Sequence, residues 1–142
     1  FQKVREELGL AYTVYSYVSP YTETGSIVVY AGVNAENYMQ SANAIFDCIR
    51  DIKKKNISQE EFLRGKEQMT ASLVFAQEST SSQMLLYGKE LIYSGKVYDF
   101  EERVKKIAAV TLDNVKEAIE CNFDETFLAT AAVGKVDKPL KI

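Results

Sequence analysis

Two polar side chains near the start of the chain, Arg5 and Tyr12, are of types that can stabilise a carbonyl oxygen. A guanidinium and a phenol are both hydrogen-bond donors, and two convergent donors suit a substrate carbonyl or a developing oxyanion. Apolar residues recur at helical spacing up to Leu8, and Gly9 stands where a helix often ends in a left-handed residue. The β-branched and aromatic residues that follow predict a strand. A sharp reversal between this helix and this strand can bring Arg5 and Tyr12 into one space.

Both residues also have an ordinary structural interpretation. Arg5 can pair with a neighbouring glutamate or bond a carbonyl of the last helical turn, and Tyr12 can pack in the core as a strand aromatic. Tyr15 and Tyr17 belong to the same predicted strand. Spacing alone therefore leaves three tyrosines as candidates for a functional phenol.

The segment REELGLAYTVYS, which contains Arg5 and Tyr12, resembles a family of zinc peptidases. These are the inverzincins of the insulinase, pitrilysin and mitochondrial processing peptidase type, which bind zinc through H-x-x-E-H in a first half. Their second half carries an R-x6-Y pattern that reaches across to the substrate, and Arg5 and Tyr12 match it. The similarity continues through YAGV at residues 30–33, the polar run 78–84 and Val110-Thr111, so it covers nearly the whole chain. The resemblance implies that Arg5 and Tyr12 bind substrate and that Tyr12 also acts in catalysis.

The resemblance implies that the chain is the C-terminal part of a zinc-dependent endopeptidase. The chain contains no histidine, so it cannot supply H-x-x-E-H. Its two cysteines, Cys48 and Cys121, are too few and too distant for a cysteine-based zinc site, so no metal ligand is assigned in this chain. We expect zinc in the complete enzyme, on an N-terminal half or a second subunit, and we expect this chain alone to be inert. The alternative is a non-catalytic assembly subunit of the same fold, which a search for H-x-x-E-H upstream or in a partner would distinguish.

Composition limits the other classes of partner. A chain of 142 residues with 46% hydrophobic residues suits one domain, and we assign residues 1–142 to it. A net charge of −3 gives no basic surface, which argues against nucleic acid. No apolar run approaches the roughly 20 residues that span a bilayer, so no membrane partner is expected. Two cysteines without a disulfide framework favour a reducing compartment such as the cytoplasm.

The remaining sequence predicts a hairpin followed by helices. Ser58 and Glu61 form a capping box that should begin one helix, and the serine-rich run 79–82 should separate that helix from the next. The predicted strands are residues 11–18, 26–33 and 127–133. Long helices are expected between residues 34 and 56 and between 58 and 94, with two shorter helices from Asp99 and Thr111.

This order predicts an α+β fold, a layered domain with a mainly antiparallel sheet covered on one face by several helices. Three strands are few for so many helices, so we expect the first strands of the sheet to lie upstream of Phe1. An incomplete sheet has an unpaired edge that can recruit another strand. The expected partners are a peptide substrate, the zinc-bearing half or subunit, and a second copy of the chain in a homodimer.

Overall fold

The structure is a computed structural model that describes residues 1–140, apart from the side chain of Glu125. It separates into two compact units. The first comprises Phe1–Asn56 together with the segment from Ala118 onward, and the second comprises Ile57–Glu117. The assignment of residues 1–142 to one domain stays a prediction, and its last two residues lie outside the described part of the chain.

The first unit begins with a helical turn that leads into a strand. Residues Gln2–Glu7 form a short π-helix, and the strand β1 spans Ala11–Pro20. Gly9 between them has a φ of +60°, a conformation that favours glycine, as the sequence predicted. The Leu10 amide donates to the Val4 carbonyl at 3.0 Å, which ties the start of the strand back to the helical turn.

The strand β1 pairs with β2, Gly25–Val33, as an antiparallel hairpin. Ala11 lies opposite Val33, yet Thr13 lies opposite Gly32, so the register shifts by one residue between them. Tyr12 is the extra residue of this β-bulge. Because of the bulge, Ala11 and Val14 both reach the buried face, although residues three apart in a regular strand point to opposite faces.

The helix α1, Tyr38–Lys55, packs with the turn and the hairpin. The core cluster consists of Val4, Leu10, Ala11, Val14 and Ala44, with Ala31, Val33 and Ile45 packed against it. Ser41 on this helix is only 2% exposed, and its hydroxyl donates to the Leu10 carbonyl at 3.3 Å. The helix, the turn and the strand therefore share one core and one buried hydrogen bond.

The second unit is helical. The helix α2 spans Gln59–Glu78, α3 spans Thr80–Ser94 and α4 spans Phe100–Ala109, while α5, Leu112–Asn122, begins in this unit and ends in the first. The predicted capping box is confirmed, since Ser58 Oγ accepts from the Glu61 amide and the Glu61 carboxylate accepts from the Ser58 amide at 2.8 Å. The predicted break is confirmed too, because Ser79 caps α3.

The predicted strand at residues 127–133 is wrong. Glu125–Phe127 form a 3-10 helix, and residues 128–140 belong to no helix or strand. These residues pair with neither strand of the described two-stranded sheet, and strand propensity by itself supplies no pairing partner. The predicted α+β class is confirmed by two antiparallel strands and five α-helices within residues 1–140. Across those residues, no helix combines the length and apolar character needed to cross a membrane.

Candidate functional site

Arg5 lies on the π-helical turn and is exposed to solvent. Its guanidinium carbon stands 4.9 Å from the centroid of the Phe1 ring, a cation–π distance. Val4, the preceding residue, is 3% exposed and anchors the turn in the core cluster. The turn thus buries one side chain and presents the next, with its five donors, to the solvent.

Tyr12 is placed by the β-bulge and is 67% exposed. The structural alternative, in which Tyr12 is a buried strand aromatic, is therefore wrong. Bulges recur beside active sites because the extra residue re-aims a side chain without disturbing the rest of the strand. Here the neighbours of Tyr12 remain in regular pairs, Ala11 with Val33 and Thr13 with Gly32.

The Tyr12 hydroxyl donates a hydrogen bond to the Asn34 side-chain carbonyl at 2.6 Å. Asn34 directly follows β2 and is exposed. The sequence places Asn34 at the start of the long helix expected between residues 34 and 56, and it does not predict this contact with Tyr12. The α1 helix begins instead after Asn37, which leaves the Asn34 side chain available to Tyr12. The contact between Tyr12 and Asn34 could have been found only from the register of the two strands, including the bulge.

Three other tyrosines cluster farther along the hairpin. Tyr15 lies opposite Tyr30 with ring centroids 5.1 Å apart, and the Tyr15 and Tyr17 centroids are 6.1 Å apart. All three side chains are about half exposed. Their rings stack on one another in the regular part of the ladder, whereas Tyr12 stands alone on the bulge. This difference favours Tyr12 over Tyr15 and Tyr17 as the functional phenol.

An ion-pair network fixes the turn against α1. Lys3 lies 3.7 Å from the Asp51 carboxylate, and Lys55 lies 3.0 Å from it. The hydrogen bond from Lys55, with a smaller contribution from Lys3, lowers the pKa of the Asp51 carboxyl. Asp51 is therefore a paired structural anion at neutral pH and is not suited to act as a general base.

The residues of this chain do not fit a zinc site. The sequence lacks histidine. Within residues 1–140, no three or more cysteine, aspartate or glutamate side chains are arranged to hold a metal. Cys48 is a half-buried free thiol on α1, and Cys121 is exposed.

The second unit contains an open cleft of about 670 Å³. Much of its lining is apolar, including Met69, Leu73 and Ile107, and its polar groups include an ion pair between Glu90 and Arg103. The hydrogen bond from Arg103 lowers the pKa of the Glu90 carboxyl. The Glu90 carboxylate is therefore paired with Arg103, and the candidate site stays with Arg5 and Tyr12.

The chain is similar to a peptidase family and to proteins named as zinc proteases. Residues 1–69, just under half of the chain, match the family described as the peptidase M16 inactive domain. The chain is similar to the uncharacterized zinc protease YmxG of Bacillus subtilis, with 36% identity over 127 residues, 89% of the chain and 31% of that protein. An uncharacterized zinc protease of Streptomyces coelicolor is 32% identical over 116 residues, 82% of the chain and 25% of that protein.

A solved structure shares the fold. A conserved protein from Enterococcus faecalis V583 matches with a TM-score of 0.65 and 23% identity over 84% of this chain and 28% of that one. The chain thus spans about a third or less of the curated relatives and of this structural neighbour. Both Arg5 and Tyr12 lie within the residues that match the inactive domain.

Proposed function

Since this chain belongs to the M16 peptidase family, we propose that it is the C-terminal, substrate-facing part of a zinc-dependent endopeptidase. The relatives named as zinc proteases are about three to four times as long as the region they share with it. The zinc ligands belong, on this proposal, to an N-terminal half or a partner subunit, because the residues of this chain do not fit a zinc site. The chain alone is inert.

Tyr12 supplies a hydrogen bond to the oxyanion of the tetrahedral intermediate. A peptide carbonyl that is attacked by water gains negative charge on its oxygen, so a donor at that point binds the transition state more tightly than the substrate. The Tyr12 phenol is exposed and carries a proton that it can give to such an oxygen. Zinc in the complete enzyme would supply Lewis-acid chemistry from outside this chain.

Arg5 holds a neighbouring carbonyl of the peptide. Its guanidinium presents a rigid fork of donors, so it is suited to orienting a carbonyl. The Phe1 ring against the guanidinium restricts the side chain before substrate arrives. The peptide then meets one donor that positions it and one that stabilises the developing charge.

One observation carries the proposal: the Leu10 amide donates to the Val4 carbonyl at 3.0 Å. This bond joins the residue before Arg5 to the residue two before Tyr12. The chain segment between Arg5 and Tyr12 therefore forms a tight reversal and is not extended. A fold that only needed a buried strand would not require both side chains to be exposed at this point.

The test is steady-state kinetics of the complete enzyme on a fluorogenic peptide, with zinc content checked in each variant. Tyr12→Phe should lower kcat by about 10²- to 10³-fold with little change in KM, because only the transition-state donor is lost. Arg5→Ala should lower kcat and also raise KM. Tyr21→Phe removes a hydroxyl from a tyrosine of similar exposure, 72%, and Arg64→Ala removes an exposed arginine on α2. Both controls should behave as wild type.

A fully active Tyr12→Phe enzyme would contradict the role assigned to Tyr12. The alternative function, a non-catalytic assembly subunit, gains support if no zinc-bearing partner or half restores peptide cleavage. In that case Tyr12→Phe and Arg5→Ala should change neither activity nor assembly. Co-purification of the chain with its partner, with and without these substitutions, distinguishes the two functions.

A further inference from the structure

We infer that Asn34 is a positioning residue for Tyr12 and that the orientation of its amide decides whether the phenol proton is available to substrate. The inference rests on the proposed function of Tyr12. It starts from one contact, the hydrogen bond of 2.6 Å that the Tyr12 hydroxyl donates to Asn34 Oδ1.

The direction of this hydrogen bond matters because a phenol has a single proton. While the Tyr12 hydroxyl donates its hydrogen bond to Asn34 Oδ1, the phenol oxygen has only lone pairs to offer and cannot donate to an oxyanion. The observed arrangement is therefore a resting one. It holds the ring in place, yet it withholds the proton from the substrate.

Turning the Asn34 amide by half a turn reverses the bond. The side-chain NH₂ group then donates to the Tyr12 oxygen, and the phenol proton is free to point at a carbonyl. Asn34 is exposed, so no packed neighbour must move for the amide to turn. In this second arrangement the amide still holds the ring, and its dipole increases the donor strength of the phenol.

The backbone around the pair supports the positioning role. Val33, the residue before Asn34, is paired with Ala11, the residue before Tyr12. Ala11 is 8% exposed and belongs to the core cluster, and Val33 packs against that cluster. The core therefore fixes the backbone one residue away from each partner, while the two polar side chains meet in solvent.

Substitutions of Asn34 separate this role from a purely structural one. In the complete enzyme, Asn34→Ala should lower kcat by about 2- to 10-fold, the value of one ordinary hydrogen bond, with little change in KM. Asn34→Asp should lower kcat further, because a carboxylate accepts the phenol proton and has no hydrogen to return. If Asn34 acted only through its size, Asn34→Asp should lower kcat less than Asn34→Ala, because aspartate is closer in shape to asparagine than alanine is.

Two further measurements complete the test. In the Tyr12→Phe background, Asn34→Ala should have no additional effect on kcat, because its action passes through the phenol. In ¹⁵N spectra of the 142-residue chain, the Asn34 side-chain amide signal should move in Tyr12→Phe, which keeps the ring and loses only the hydroxyl. Tyr21→Phe should leave the signal in place, and Asn43→Ala, an exposed asparagine on α1, should leave the kinetics unchanged.

The outcomes separate this inference from the proposed function. A slow Tyr12→Phe enzyme combined with wild-type rates in the Asn34 variants overturns the inference alone. The inference alone is also overturned if Asn34→Ala lowers kcat by an equal factor in wild type and in Tyr12→Phe. The same holds if Asn34→Asp lowers kcat less than Asn34→Ala does, or if the Asn34 amide signal does not move in Tyr12→Phe. A fully active Tyr12→Phe enzyme overturns the proposed role of Tyr12 and this inference together.

Discussion

Replacing Ser41 by alanine should destabilise the unit that carries Arg5 and Tyr12. Ser41 is 2% exposed on α1, and its hydroxyl donates to the Leu10 carbonyl at 3.3 Å. Leu10 lies in the reversal between the π-helical turn and β1, and it is itself 7% exposed. The substitution removes the donor and leaves a carbonyl in the core without that hydrogen bond.

The magnitude follows from two opposing effects. A buried polar group that loses its partner costs about 1–3 kcal/mol, and the long O–O distance here places the loss in the lower part of that range. Alanine is a better helix former than serine by about 0.5 kcal/mol, which offsets part of the loss. The net fall in the free energy of unfolding should be about 0.5–1.5 kcal/mol.

Urea unfolding followed by circular dichroism measures this change, since the chain has no tryptophan to report fluorescence. With an m-value of about 2 kcal/mol/M, the midpoint should fall by roughly 0.25–0.75 M at unchanged m. Ser72→Ala, at an exposed position on α2, is the matched control and should leave the midpoint unchanged or slightly higher. If the two variants unfold at the same urea concentration, the Ser41 hydrogen bond does not hold the reversal as argued.

Three further predictions concern the chain as a whole. The purified chain should bind no zinc stoichiometrically and cleave no fluorogenic peptide, and metal analysis that finds one tightly held zinc per chain would contradict this. The hairpin edges should recruit the remaining part of the enzyme or a second copy of the chain. Light scattering that finds a monomer at every concentration, together with a sharp cooperative thermal melt, would count against this prediction. Ser58→Ala should cost about 1 kcal/mol through loss of the N-cap. The Ser58 backbone amide and, to a smaller extent, the Ser58 hydroxyl lower the pKa of Glu61, so the part of this loss that comes from the hydroxyl bond to Glu61 should be present above the ordinary pKa of Glu61 and vanish as pH falls through the lowered value. A urea midpoint with the same pH dependence in wild type and Ser58→Ala would refute that coupling.

Local signals in the sequence predicted the elements whose cause is also local. The capping box at Ser58, the N-cap at Ser79 and the left-handed Gly9 each depend on residues within a few positions of one another. The hairpin was predicted within two residues at each end, because its alternating composition and its loop lie in one stretch of the chain. Such features need no knowledge of the tertiary fold.

Features that depend on pairing between distant residues were not predictable in the same way. The bulge at Tyr12 exists only relative to β2, and the contact with Asn34 joins residues 22 positions apart. The prediction of a strand at residues 127–133 was wrong for the same reason. A strand propensity describes how well residues suit a paired strand, but it does not provide a strand to pair with. The candidate residues could thus be named from the sequence, whereas their geometry could not.

On the proposed function, the bulge lowers the stability of the hairpin at the position that carries the oxyanion donor, Tyr12. Deleting Tyr12 would bring Ala11 next to Thr13, and the ladder from Val33 to Gly32 would then be regular, with Ala11 and Val14 still on the buried face. A hairpin selected only for stability would therefore omit this residue, because it interrupts the ladder and exposes an aromatic ring. Stabilisation of this protein by consensus design or by directed evolution without an activity screen should accordingly remove Tyr12 or its bulge first. Under selection for thermal stability alone, the deletion of one residue would make the hairpin more regular and, on the proposed function, would remove the oxyanion donor.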